Sequence, residues 1–581
     1  MAGNTLPKRL HHAVSCRGAA AAPDKGTLKT MSPITPPSDN QSTMSTLDET
    51  PLFVFKAMRE HTGGVAIVLV IFVLGVLLVK YAYETDIPKI PGIPEMPNAL
   101  PFIGHLHLHA GASGRNDAAV WSDWSRKLGS DLLQVRFGNR RVVIANTFDS
   151  IKEIFVANAA CTSARPRQFV FEKYVGYDLG SHSLDENFKA QRTAALRSVK
   201  TSSWDSFYPC LEREGDRLIA NLAEQGRYGG TAINPLPYMQ VVAMALGWSI
   251  TFGKEFDAND PWLREYIDNA CLITKVRGAS NTWSDFVPLL RLHPRFRAMG
   301  MAGQAASIRR TEMIRDVVED LKARVARGEE PQCVAAQVLT DVNSKLSMWN
   351  AVKCSTSMLQ GGTESIPSHL TAGFGGLIQG RGPQMQEKAF AAIKETYPDG
   401  DAIEHAFNEE KVPYITALYK EILRNYVVLP FSLPHATDRD VHLKSGVVIP
   451  KGTTLYMNSE AGNHDEQIFG PNAHQFYPER WLDNPHLDNI GTVQHSSYGI
   501  GSRICPAWQI ANRIMYGLLF RVILAFKLEE DPSNPPPRDY KEFGCTPDLV
   551  LNSPKTFGVR FVPRDADSLK KDVARIRAKE V

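Results

Sequence analysis

The sequence predicts a mainly α-helical protein with small β-sheets, preceded by one N-terminal transmembrane helix. Three observations predict it. The run "GGVAIVLVIFVLGVLLV", Gly63 to Val79, carries no charge and as a helix reaches about 26 Å, close to the thickness of a hydrocarbon core. Several later segments space their apolar residues by three and four, the helical period. Short β-branched runs recur between and after them, the first two flanking "GNR", which signals a hairpin.

Residues 1–62 are rich in Ser, Thr, Pro, Ala and Gly with few aromatics. Such a composition buries too little apolar area to offset the entropy of ordering, so a disordered tail is expected. Residues 63–83 then form the anchor. A buried core helix is the alternative for an all-apolar run. Cleavage as a signal peptide is disfavoured, because the run exceeds an ordinary h-region and Lys80-Tyr81-Ala82-Tyr83 follows in place of small residues. Lys56, Arg59, Lys80 and Lys89 fall on both sides of the span, so charge sets no orientation. Residues 84–104 contain "IPKIPGIPEMPNALPFIG", where the prolines forbid helix and favour an extended, semi-rigid hinge.

From Leu132, "LLQVRFGNRRVVIAN" reads as the hairpin. After Asp149 the pattern turns helical in "WDSFYPCLEREGDRLIANLAEQ", "SIRRTEMIRDVVEDLKARVARG" and "KVPYITALYKEILRNYV". Strand signals return at "VVIPKGTTLYMN" and "KTFGVRFVP". The main domain covers 105–565, and the alternating charges of 566–581 read as a solvated helix or frayed tail.

The balance of 65 Lys+Arg against 62 Asp+Glu leaves a formal charge of +3. That is too even to argue for the phosphate backbone, and nucleic acid is set aside as a partner. The eight cysteines, at 16, 161, 210, 271, 333, 354, 505 and 545, make no CxxC pair. Neither a zinc site nor a disulfide framework is signalled.

Cys505 stands apart in "SSYGIGSRICPAWQIANR". Gly499 and Gly501 permit a tight turn, Arg503 supplies a cation, and Pro506 suits a first helical turn. A helix N-terminus and a positive neighbour both lower a thiol pKa and favour thiolate. Taken alone, the pattern fits an inert buried cysteine, a nucleophile or a metal ligand.

Tyr498, Gly501, Arg503 and Cys505 resemble the heme-binding signature of the cytochrome P450 family, whose cysteine thiolate pushes electron density onto iron and favours O–O cleavage. The resemblance implies the P450 fold, a heme b with Cys505 as its axial ligand, and a loop shaped by Tyr498 and Gly501. Tyr498 stands where phenylalanine is usual and Ala507 where glycine is usual. Partner motifs follow in order. In "KEILR", Glu421 and Arg424 lie three apart on one helical face, and "FYPERW" supplies Arg480. A surface pair of this kind is common and worth little, but the flanks Ile415, Leu418, Ile422, Leu423 and Val427 are apolar, and a buried pair wants a further partner. The three resemble the family's Glu-Arg-Arg triad, a structural lock beneath the heme.

"MLQGGTESIPSHL", Met358 to Leu370, reads as a long helix interrupted by glycines and a proline. Proline costs about 3 kcal/mol inside a helix, so a local break that frees carbonyls is expected there. A plain kink with a solvated acid is the alternative. In the family this segment crosses the distal face of the heme, with Glu364 as the acid and Ser365 as the hydroxyl that relay protons to dioxygen. Ser365 replaces the usual threonine and holds its rotamer less firmly. Arg192, four after Phe188, together with His435 and Arg503, matches the family's partners for the heme propionates.

The resemblance runs from about Pro88 to Pro563. "LLQVRFGNRRVVIANTFDSIKEIF", "SARP" at 163–166 and "ESIPSH" look most like fungal phenylacetate hydroxylase-like members and relatives acting on cresols and other small phenols. It implies hydroxylation of a small aromatic substrate with dioxygen, electrons from an NADPH-dependent P450 reductase, and a single-pass protein held in the lipid of the endoplasmic reticulum with its catalytic domain cytosolic. Substrate contacts are expected from Phe169, Phe171, Gly361, Gly362, Val428, Leu429 and Phe431, apolar groups suited to a small ring. For a carboxylate-bearing substrate, Arg165 or Arg167 is a candidate partner, against a structural role for either. Two rival functions are an oxygen-independent heme-thiolate isomerase or dehydratase, which would not need Glu364 and Ser365, and a non-catalytic membrane-bound binding module.

Overall fold

Residues 52–109, 116–257, 260–341, 343, 346–484, 486–487, 495–542 and 551–580 are described by the computed structural model. Residues 1–51, with Cys16, and Cys545 lie outside them. The chain forms two compact units, one holding the first helix and the other starting at Thr85.

In the first unit, α1 runs from Leu52 to Tyr83. It opens inside the stretch expected to be disordered, because residues 52–62 contain none of the Pro and Gly that crowd residues 1–51 and can extend a helix already formed. The large apolar side chains from Ile67 to Val79 are all exposed, by 51–66%. Among the described residues, no helix is long and apolar enough to cross a membrane.

The second unit is mainly helical with small sheets, as the sequence predicts. β1 (Leu132–Phe137) and β2 (Arg140–Ala145) pair antiparallel, Phe137 opposite Arg140. The turn is Gly138–Asn139. Gly138 has φ +57, and a Cβ there would lie 1.9 Å from the Phe286 carbonyl oxygen, so both backbone and space demand glycine. The principal helices that follow are α2 (Asp117–Leu128), which precedes the hairpin, then α3 (Glu186–Ser198), α4 (Tyr208–Gln225), α5 (Leu236–Phe252), α6 (Pro261–Arg277), α7 (Pro294–Ala326), α8 (Met348–Leu377), α9 (Gly382–Thr396) and α10 (Pro413–Asn425). β3 (His435–Ala436), β4 (Val441–His442), β5 (Val448–Ile449) and β6 (Thr454–Met457) come next. β6 joins the hairpin parallel to β2 and antiparallel to β3, giving the order β1-β2-β6-β3. The chain closes with α11 (Trp508–Ala525), the antiparallel pair β7 (Phe526–Glu530) and β8 (Val559–Pro563), and α12 (Ala566–Ala578).

Helix α8 is the axis of the core. Its Gly373 lets α10 approach so closely that a Cβ would lie 2.3 Å from Ile422. The expected break is absent: the helix runs unbroken through Gly361, Gly362 and Pro367. The helix is anchored on both sides of the weak stretch, and His369 Nδ1 donates to the Ser365 carbonyl at 2.8 Å, strengthening the turn around the proline.

The segment expected as a solvated helix or frayed tail, residues 566–581, is more than that over its described part, 566–580. Leu569, Val573 and Ile576 of α12 are buried, and Arg577 binds Glu224 of α4 at 2.8 Å. The charges hid an apolar stripe spaced four and three, the period of a docked face.

Candidate active site

Cys505 lies between a tight turn, Gly501–Arg503, and the start of α11. Its backbone N–H donates to the Tyr498 carbonyl at 2.8 Å, and the Tyr498 hydroxyl donates to Asn512 Oδ1 of α11 at 2.7 Å. The loop is thus tied to the helix it introduces. Gly501 has φ +67, and a Cβ would fall 2.0 Å from the Phe155 carbonyl oxygen; no other residue fits. One sequence expectation reverses here. Burial raises the Cys505 thiol pKa, outweighing the Ala507 backbone N–H and Arg192, which lower it. The polypeptide alone does not stabilise the thiolate, which needs a directly bound cation such as a heme iron.

Around this loop stand positive groups with little to neutralise them. Arg503 donates Nε–H to the Ser163 carbonyl at 2.8 Å, while both terminal nitrogens are buried without a hydrogen-bond partner. Burial and then Arg192 pull its pKa down to about 10. Arg192 donates to the Ile504 carbonyl at 2.7 Å and is itself lowered by burial. Arg165 donates to the carbonyls of Gly180, Leu433 and Pro434; burial and then Arg503 lower it to about 9. His435 donates Nδ1–H to the Thr162 carbonyl at 2.7 Å. Burial and then Arg165 hold it well below its usual pKa, so it serves as a neutral ring that can donate a hydrogen bond. Buried arginines that repel one another and leave donors bare fit an anion, and a heme carries two carboxylates. The residues present fit the group.

The triad closes as the spacing suggests. Glu421 takes Arg424 at 2.8 Å and Arg480 at 3.1 Å, with all three buried. It also accepts the Trp481 indole N–H at 3.1 Å and the Tyr477 backbone N–H at 2.8 Å. The arginines donate onward to the carbonyls of Asn463, Ala473, Phe469 and Asn472. Every arm of the pair is used, the condition under which a buried ion pair is tolerated.

Helix α8 borders a cavity of about 430 Å³, which Arg165 also lines. Gly361 and Glu364 of α8 line it, with Phe171, Leu429 and Phe431, and a Cβ on Gly361 would meet only open space. Burial raises the Glu364 pKa, opposed by a hydrogen bond from Thr274 of α6. The Ser365 hydroxyl donates to the Gly361 carbonyl at 2.9 Å. Three expected substrate residues are not among the lining: Phe169, Gly362 and Val428. Phe169 lies instead under Arg291, 4.4 Å from its ring. The carbonyl of Val428 accepts the Asn552 N–H at 2.7 Å. Arg167 is exposed and paired with Glu172 at 2.7 Å, the structural role weighed against carboxylate binding.

Other lining groups carried no sequence signal. Phe286 lines the cavity, Thr274 meets Glu364, and Arg277 pairs with Asp178 at 2.5 Å. Although burial opposes it, Arg277 with Ser181 holds the Asp178 carboxyl well below the usual range. Trp481 was readable, standing next to Arg480. Among the described residues, no group of three or more His, Cys, Asp or Glu is placed to hold a metal ion.

The family model described as Cytochrome P450 matches residues 94–559. Phenylacetate 2-hydroxylase of Emericella nidulans is 35% identical over 525 residues, covering 89% of this chain and 98% of the relative. 3-Hydroxyphenylacetate 6-hydroxylase of the same organism is 30% identical over 490 residues, covering 83% and 90%. A cytochrome P450 monooxygenase of Mycosarcoma maydis is 27% identical over 536 residues, covering 88% and 94%. A signature loop around Cys505, a satisfied Glu421-Arg424-Arg480 triad and a family match over most of its length converge: the chain belongs to the cytochrome P450 family and is a heme-thiolate monooxygenase.

Proposed function

We propose that this monooxygenase hydroxylates a small aromatic substrate, an aryl acetate foremost, with electrons from an NADPH-dependent P450 reductase. The observation that carries the reading is the cavity of about 430 Å³, walled by Phe171, Phe286, Leu429 and Phe431 and bordered by Glu364. Its volume suits a single substituted ring, and two of the relatives are named for phenylacetate and 3-hydroxyphenylacetate. Phenols such as cresols fit the same walls.

In this reading Cys505 ligates the iron, Tyr498 and Gly501 shape its loop, and Arg192, Arg503 and His435 take the propionates. When bound, the heme supplies dioxygen binding and O–O cleavage, favoured by electron release from the thiolate. Burial, which raises the Glu364 pKa, suits its carboxyl to exchanging a proton at the cavity edge, and the Ser365 hydroxyl passes that proton inward. Phe171, Leu429 and Phe431 orient the ring and exclude water, and Gly361 leaves room above it. The triad of Glu421, Arg424 and Arg480 is a structural brace. The uncharged run from Gly63 to Val79, with its large apolar side chains exposed from Ile67 on, supports residues 63–83 as an anchor in the endoplasmic reticulum membrane, with 84–104 as hinge and 105–565 carrying out the chemistry on the cytosolic side. The relay pair favours this function over an oxygen-independent isomerase or a binding module.

The test is a reduced, carbon monoxide-bound spectrum with a Cys505→Ala control, followed by turnover of phenylacetate with reductase, NADPH and dioxygen. A thiolate-type Soret band that the substitution abolishes, together with a hydroxylated product, is expected. The absence of product from phenylacetate, 3-hydroxyphenylacetate and cresols would sink the substrate reading.

A further inference from the structure

A second cavity, of about 610 Å³, adjoins the first, and Arg165 lines both. Its other charged walls are Arg140, Arg167, Arg291 and Lys451, against only two carboxylates, Asp86 and Asp285. Both carboxylates accept backbone N–H groups, Asp86 Oδ1 those of Ile87 and Arg141 and Asp285 Oδ1 that of Val170 at 2.8 Å; Asp285 also offsets part of the charge of Arg140 and Arg291, so the cations still outnumber the acids. Arg167 is held by Glu172, and Arg291 donates to the Ser284 carbonyl at 3.0 Å. Arg140 lies 6.0 Å over the Phe286 ring. Neither Arg140 nor Lys451 has an ion pair or a side-chain hydrogen bond among the described residues. A concave chamber with excess positive charge focuses its field and raises the local concentration of anions.

We propose that this second cavity is a cationic vestibule that captures an aromatic carboxylate and hands it past Arg165 into the cavity beside Glu364. The inference deepens the aryl acetate reading and rests on it. It selects among the small aromatics that the apolar walls alone admit equally: an acid is drawn in by charge, whereas a neutral phenol or amide is not. Phe286 links the two chambers, since it lines the first while Arg140 of the second lies over it.

The test uses the heme-loaded full chain and its Arg140→Gln/Lys451→Gln double variant, with phenylacetate and uncharged phenylacetamide as probes. Binding is followed by calorimetry and association by stopped flow at low and high salt. Phenylacetate association with the wild type is expected to slow steeply with added salt. The double variant is expected to start about tenfold slower and to lose most of that salt dependence, with phenylacetamide the same for both proteins. Lys451→Glu, at an exposed position, should slow phenylacetate further without touching the fold. Equal phenylacetate rates and equal salt slopes in wild type and double variant would overturn the vestibule, as would a wild type that does not bind phenylacetate at all. Binding with these charge effects but no hydroxylated product would overturn the proposed reaction instead and leave the vestibule standing.

Discussion

The guanidinium of Arg503 lies 3.9 Å over the ring of Phe188, so the aromatic and the cation of two separate motifs meet face to face. The stack holds a plane whose terminal nitrogens are bare, aiming them without using them. Arg503→Ala is therefore expected to yield folded protein with a lowered heme-to-protein ratio, read by pyridine hemochrome assay. Phe188→Leu keeps an apolar side chain but loses a cation–π contact worth about 1 kcal/mol, and should weaken heme retention less. Full heme content in Arg503→Ala would remove the arginine from propionate binding.

Glu421 accepts six hydrogen bonds from Arg424, Arg480, Trp481 and Tyr477 in a buried setting. Glu421→Gln leaves two buried arginines short of their counter-charge, which costs about 3–5 kcal/mol. The expected outcome is a large fall in the denaturation midpoint and in soluble holoprotein. A variant as stable as wild type would show that the brace is dispensable.

His369 sets a pH dependence of stability. Burial drops its pKa from 6.5 to about 4, so between those values the unfolded chain binds a proton that the fold refuses. Stability then falls as pH drops through this window, by up to about 1.4 kcal/mol per pH unit. His369→Gln should melt with a smaller loss between pH 7 and pH 5 than wild type. Parallel losses in the two proteins would contradict it.

Ser365 spends its hydroxyl proton on the Gly361 carbonyl and has no β-methyl to fix its rotamer. Ser365→Thr is expected to raise the product formed per NADPH consumed. Glu364→Gln is expected to lower that ratio and divert electrons to peroxide. Unchanged coupling in both variants would place the relay elsewhere.

What the sequence disclosed and what it hid divide by range. The hairpin needed only "GNR" between β-branched runs, and the Cys505 loop only glycines at fixed offsets. Glu421 and Arg424 share a helical turn. Each is local chemistry that a short window carries. The cavity walls are not local: Thr274 reaches Glu364 of α8 from α6, and Phe286 packs on the β1–β2 hairpin, and nothing near them in the chain says so. The contact of Phe169 with Arg291 is hidden for the same reason, since an aromatic in a loop is apolar whichever way it points. The thiol of Cys505 failed differently. Its helix terminus and its cation were legible, but the burial that outweighs them belongs to the whole fold.

Helix α12 docks on α4, and the pair Arg577 and Glu224 that ties them is separated by 353 positions. While the chain is being synthesised, the face of α4 that receives Leu569, Val573 and Ile576 has no cover until the 353 positions between Glu224 and Arg577 have been made. A partly made chain presents that apolar surface to chaperones throughout this interval.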